Sequence, residues 1–208
     1  KGANLENANL IGVDLSDKDL TGTVLKGIDL SDKDLTGTVL KGASLFYVNF
    51  TGVDLSGKDL AGTTFRDVDL SGKNLAGTVL KGANLENVIL TGVDMSGVNL
   101  AGTTFRDVDL SDKNLAGTVL KGAVFIDTDL TGVDLSGKDL TGTTFRDVDL
   151  SGKDLTGTVL SGAILMNTDL TGANLENANL TGVDLSGKDL AGTVLKGANL
   201  ENVILTGV

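Results

Sequence analysis

A five-residue register runs through the whole chain without a break. Every residue whose number is a multiple of five, from Leu5 to Leu205, is Leu, Phe or Met: 35 Leu, five Phe and one Met. A register kept for 208 residues means that each five-residue unit is one copy of a small structural element that stacks on its neighbours. The chain therefore predicts a solenoid rather than a globule, formed as one uninterrupted domain over residues 1–208.

The other positions of the unit are also regular. The residue two before the apolar one is Ala, Val, Thr or Ile in 34 of 42 units, and all 29 glycines lie two residues after it. The residue just before it is mostly Asp or Asn. This pattern resembles the pentapeptide-repeat family, whose motif is A(D/N)Lxx, over the whole chain. The resemblance implies an all-β fold, a right-handed, four-sided parallel β-helix.

The number of sides can also be argued from the residues. Side chains alternate along an extended backbone, so the apolar and small residues point inward, and Gly then turns the corner. Nearly identical segments begin at Ala61, Ala101 and Thr141, which are 40 residues apart. An interval of 40 residues contains eight units, which make two whole coils of four units but not a whole number of coils of three units. We therefore expect twenty residues per coil and about ten coils spaced about 4.8 Å apart.

Four phenylalanines should form a core stack on one side of this coil. Phe105, Phe125 and Phe145 are twenty residues apart, and Phe65 lies two coils before Phe105. We expect the rings of the first three to be buried in direct contact, where they fill more volume than Leu would.

Composition excludes several kinds of chemistry. The chain has no His, Cys, Pro or Trp, so disulfides, thiolate metal sites and His-based catalysis are excluded. A convex rod also offers no concave site in which catalytic groups converge. We expect no enzyme, no catalytic residue, no cofactor and no metal site. No apolar run is long enough to span a membrane.

Eight lysines occupy the inward small-residue position. An unpaired ammonium among leucines would carry a desolvation penalty of several kcal/mol. We expect the stems to follow the wall and the heads to reach Asp at a corner, rather than a buried lysine acting as a nucleophile. The lysines are Lys18, Lys33, Lys58, Lys73, Lys113, Lys138, Lys153 and Lys188.

A row of carboxylates is the strongest candidate interaction site. With twenty residues per coil, it comprises Asp109, Asp129, Asp149, Asp169 and Asp189. The net charge is −11, which disfavours direct nucleic-acid binding. The row could be a solvated, salt-bridged face beside Arg66, Arg106 and Arg146, or a cation- or surface-binding face.

The family resemblance adds a third interpretation of this row. Quinolone-resistance members are acidic rods that resemble B-DNA and occupy the DNA site of type II topoisomerases, which implies a DNA-binding protein as partner. This chain lacks an inserted loop and a recognisable terminal dimerisation segment, two features that are associated with that role in the family.

The near-identity of the 40-residue units favours a structural rod, because a protein that fits one partner usually has distinguishable positions along its surface. Lys1 opens the chain within a repeat and Val208 closes it within a unit, with no cap at either end. We therefore expect a segment of a longer array, or self-assembly by end-to-end stacking that covers the exposed strand edges.

Overall fold

The computed structural model describes residues 1–208, and its regular secondary structure consists of seven short strands. These strands form one parallel sheet in the order β1 to β7. Each strand pairs with the one that begins twenty residues later, so that Leu45 lies opposite Phe65. The strands are β1 (Ser44–Phe46), β2 (Thr64–Arg66), β3 (Asn84–Glu86), β4 (Thr104–Arg106), β5 (Val124–Ile126), β6 (Thr144–Arg146) and β7 (Ile164–Met166).

The same pairing continues on the other sides of the coil and toward both ends. Single-residue parallel bridges join residues twenty apart, from Asn4 with Val24 to Asp184 with Ile204. The backbone N–H of Val24 donates to Ala3 O at 2.9 Å. The expected parallel β-helix with four five-residue sides per coil is therefore confirmed. We call the side that carries β1 to β7 the sheet face, and the next side along the chain, which carries Asp109, the acidic face.

The apolar column fills the interior. Leu70 and Leu110 are 1% and 0% exposed, and 52 buried residues form one continuous core. Burying a leucine of this kind contributes about 1.5–3 kcal/mol relative to leaving it in water. In the terminal coil Leu200 and Leu205 remain 37% and 43% exposed, because no further coil covers them.

Every corner requires a residue whose backbone adopts the left-handed conformation, with positive φ. The corner position has positive φ in all units, with 29 glycines and 13 other residues, and all of the latter except Tyr47 are Asn or Asp. Asn and Asp tolerate this conformation better than other side chains do. At Gly27 the turn closes with a hydrogen bond from Ile28 N–H to Leu25 O at 3.2 Å.

Corners of the sheet face differ from this tight turn. After each strand the corner residue is not Gly, and the N–H that follows it makes no bond back to the strand's middle carbonyl. The backbone therefore stays extended for three residues before it turns, which explains why only this face forms a continuous sheet. These corner residues are Tyr47, Asp67, Asn87, Asp107, Asp127, Asp147 and Asn167.

Some corner side chains lie against the glycine of the next coil. The Asp112 carboxylate occupies the space that a Cβ on Gly132 would need, and that Cβ would also come within 3.4 Å of Asp112 Cα. By contrast, a Cβ on Gly137 would meet no atom within 4 Å. Glycine at position 132 is therefore required by contact as well as by its φ of 71°.

Candidate functional site

The coil places the five predicted aspartates in one exposed row on the acidic face. Asp109 bridges to Asp129 and Asp149 bridges to Asp169 through the parallel backbone pairing. All five side chains, including that of Asp189, are exposed. None of them forms a salt bridge; the cationic partners recorded in the structure lie elsewhere.

Each aspartate of the row also supports the corner that follows it. The N–H of Ser111 donates to Asp109 Oδ1 at 2.8 Å, and that of Thr131 donates to Asp129 Oδ1 at 2.8 Å. The same bond forms where the column holds asparagine, from Thr51 N–H to Asn49 Oδ1 at 3.0 Å. This local turn is a role that the sequence analysis missed, although the interchange of Asp and Asn in the column points to it.

These hydrogen bonds favour the ionised carboxylate. The hydroxyl and the backbone N–H of Ser111 hold the pKa of Asp109 below its usual value, and Lys113 adds to the effect. Near the first coil, bonds from Thr21 and the Lys1 ammonium lower the pKa of Asp19 to about 2. Asp109 and Asp19 are therefore charged well below neutral pH.

Acid is expected to destabilise the rod. A carboxylate whose pKa is lower in the folded state stabilises that state above its unfolded pKa of 3.8, and this contribution disappears as pH falls through the folded pKa. Asp109→Ala should lower the free energy of unfolding by about 1 kcal/mol at neutral pH, because it removes the acceptor.

Asp109→Asn is the matched control, since it keeps the acceptor and removes the charge. Its difference in stability from the parent chain should shrink as pH falls below about 4, as measured by urea unfolding at several pH values. Equal pH dependence of the parent and both variants would contradict the assignment.

The three arginines lie on the sheet face, one face away from the carboxylate row. Arg66 Nη2 lies 3.2 Å from Glu86 Oε1, and Arg66 Nε lies 3.6 Å from Asp67 Oδ2. Neither Arg106 nor Arg146 has a carboxylate within salt-bridge distance. The arginines therefore do not neutralise the acidic face.

The inward-register lysines reach the corners but do not end on aspartate. Lys58 Nζ donates to Leu35 O at 2.6 Å, and Lys138 Nζ donates to Leu115 O at 2.9 Å. In the same column Thr38 Oγ1 donates to Leu15 O at 2.7 Å. Lys58 and Thr38 thus bond equivalent carbonyls of the preceding coil, whereas Thr78, in the next coil, donates to Leu75 O in its own turn at 2.6 Å. Lys188 is half-buried, and burial lowers its pKa.

Phenylalanine rings fill the interior behind the sheet face. The ring centroids of Phe105 and Phe125 are 5.3 Å apart, and those of Phe125 and Phe145 are 5.1 Å apart, with interplanar angles of 5° and 12°. Phe65 lies outside this stack and contacts Phe50 instead, at 6.2 Å and 46°. All five rings are at most 1% exposed.

No group of three or more carboxylates comes close enough together to hold a metal ion. The structure also contains no helix of the length and apolarity that crossing a bilayer requires.

Comparison with known proteins identifies the repeat. A family model described as "Pentapeptide repeats" matches eight copies, over residues 1–32, 27–57, 59–97, 99–137, 139–177 and 173–208. No curated protein matches the sequence significantly.

Several solved structures are similar to this chain. HetL, a pentapeptide repeat protein involved in heterocyst differentiation regulation in Nostoc sp. strain PCC 7120, is 25% identical over 91% of this chain and 87% of its own, with a TM-score of 0.35. Full-length QnrB1, a plasmid-mediated fluoroquinolone resistance protein, is 15% identical over 90% and 93%, with a TM-score of 0.39. A protein from the Arabidopsis thaliana thylakoid lumen is 28% identical over 67% and 70%, with a TM-score of 0.19.

Proposed function

The chain belongs to the pentapeptide repeat family, and we propose that it serves as a non-enzymatic scaffolding rod that extends by stacking one coil on the next. One observation carries this proposal: the pairing of residues twenty apart runs from Asn4 to Ile204 on the same spacing. Each coil is therefore a template for the coil that follows.

The terminal coils of these 208 residues leave apolar surface uncovered. Val13 is 42% exposed near one end, and Leu205 and Val208 are 43% and 56% exposed at the other. A further coil, from the same polypeptide or from a second copy, would bury these side chains and pair with the free backbone groups. A heterologous contact of this kind has no built-in stop, so it produces filaments.

The 208-residue chain is expected to form rods that lengthen with protein concentration, as seen by negative-stain microscopy and small-angle scattering. Leu205→Glu places a charge in the stacking contact and should shorten the rods to single molecules. Ile89→Glu is the matched control, because Ile89 is 51% exposed but lies on the side of the rod. Rods of one-molecule length at every concentration would contradict end-to-end stacking.

A second candidate function is mimicry of DNA toward a type II topoisomerase, and the exposed row from Asp109 to Asp189 favours it. Such a protein should remain a monodisperse particle and inhibit DNA supercoiling by the enzyme at stoichiometric concentration. Replacing Asp129, Asp149 and Asp169 by Asn keeps the corner hydrogen bonds and removes three charges. Unchanged inhibition by this variant would contradict the mimicry proposal.

The non-enzymatic part of the proposal is supported by the surface. Its depressions are grooves between successive corners, such as the one lined by Asp34, Asp54 and Lys58. Their carboxylates are engaged in turn hydrogen bonds, as between Ser56 N–H and Asp54. These residues support the backbone instead of converging on a reacting atom.

A further inference from the structure

Strands of the sheet face alternate between one constant sequence and variable ones. The strands β2, β4 and β6 all read Thr-Phe-Arg. The strands between and beside them read Ser-Leu-Phe in β1, Asn-Leu-Glu in β3, Val-Phe-Ile in β5 and Ile-Leu-Met in β7. By contrast, residues 61–83 and 101–123 differ only at Gly72 and Asp112.

Most of the variation within these strands falls on the side chains that point outward, since the middle residue is always Leu or Phe. The middle residue of every strand is buried, so its two neighbours face away from the core. At these outward positions the strands carry Ser44 and Phe46, Asn84 and Glu86, Val124 and Ile126, and Ile164 and Met166. No two variable strands share an outward pair, so the coils that carry β1, β3, β5 and β7 can be distinguished from one another on this face.

We propose that the sheet face from β4 to β7 is a docking surface for a protein segment that presents carboxylates and aliphatic side chains. This surface lies on the side of the rod, so it is independent of the stacking proposed for its ends.

Charge complementarity supplies the first argument for that partner. In β3 the chain provides its own carboxylate, and Glu86 pairs with Arg66 at 3.2 Å. At the equivalent positions β5 and β7 carry Ile126 and Met166. Arg146 lies between these two apolar residues in the strand register and has no carboxylate partner. A partner's carboxylate would take the place that Glu86 takes beside Arg66.

Exposed apolar side chains supply the second argument. In β7, Ile164 and Met166 are 52% and 46% exposed. In β5, Ile126 lies between Arg106 and Arg146 in the strand register and is only 7% exposed. Arginine and methionine are enriched in protein interfaces, and the buried centre of an interface is more apolar than its rim. The two free arginines are two coils apart, which sets a spacing of about 10 Å for the partner's carboxylates.

The test selects a phage-displayed library of random dodecapeptides against the intact chain and measures the affinity of synthetic selected peptides by fluorescence anisotropy. Enriched sequences should combine Asp or Glu with aliphatic residues. Arg146→Ala and Met166→Ser should each weaken binding by about tenfold. Arg66→Ala is the matched control and should have little effect, because Arg66 is already paired within the chain.

Circular dichroism and the lengths of the stacked rods should be unchanged in these variants, since all three side chains are outside the core. The proposal would be overturned by no enrichment, by enrichment of basic sequences, or by equal effects of Arg66→Ala and Arg146→Ala. Selected peptides that bind the terminal coils would be insensitive to all three substitutions and would equally count against it.

Discussion

Phe125→Ala is expected to lower the free energy of unfolding by about 3–5 kcal/mol. Phe125 is completely buried and its ring lies between those of Phe105 and Phe145, at 5.3 and 5.1 Å. Removing the middle ring leaves a cavity that the coils above and below cannot close, because hydrogen bonds on their other sides fix their spacing. Urea unfolding followed by circular dichroism measures the loss.

Phe125→Leu provides the matched control for the cavity. Leucine occupies the same column in coils on both sides of the stack, at Leu85 and Leu165, so the backbone already accommodates it. This variant should lose about 1 kcal/mol, a small part of the loss in Phe125→Ala. If Phe125→Ala itself loses less than about 1 kcal/mol, the ring does not contribute to the core as described.

Gly132→Ala is expected to lower the free energy of unfolding by about 2–3 kcal/mol. Part of this loss, about 1–2 kcal/mol, arises because alanine must adopt a positive φ. The remainder arises because the new Cβ would overlap the Asp112 carboxylate of the preceding coil. Thermal and urea unfolding of the purified variant measure the total.

Two further variants separate these contributions. Gly137→Ala has the same backbone requirement, with a φ of 63°, but no atom within 4 Å of the new Cβ, so it should show only the smaller loss. Adding Asp112→Gly to Gly132→Ala removes the obstructing carboxylate and should recover the difference. Non-additivity in this double-mutant cycle reports the contact directly, whereas strict additivity would show that the two corners do not interact.

The general architecture could be predicted because a single register dictates it. An apolar residue every five positions and a 40-residue repeat fix which side chains share a column, and stacking then follows from backbone hydrogen bonding. The corner geometry could be predicted for the same reason, since only a residue that tolerates positive φ fits there.

The hydrogen-bond partners of the lysine and aspartate side chains could not be predicted from the repeat pattern. The lysine heads were expected to meet aspartate, but the nearest acceptor for Lys58 is Leu35 O, which the coil geometry brings beneath it. The aspartates are held by backbone donors two residues ahead, as Asp109 is by Ser111 N–H. The sheet forms on the face where the N–H after the corner residue does not bond back to the strand's middle carbonyl. The sequence shows non-glycine residues at these corners, but it does not show that this hydrogen bond is missing.

Pairing between residues twenty apart also governs how such a chain folds. Leu25 N–H donates to Ser44 O, and Leu180 N–H donates to Asn199 O, with the same separation along the chain. The loop that must close before a new coil docks is therefore equally long everywhere, so its entropic penalty does not grow as the array lengthens. We expect the slow event to be formation of the first coil pair, with later coils adding to it by propagation from either side. A chain with twice as many coils should thus fold with a nucleation barrier of similar height and with more places at which nucleation can occur.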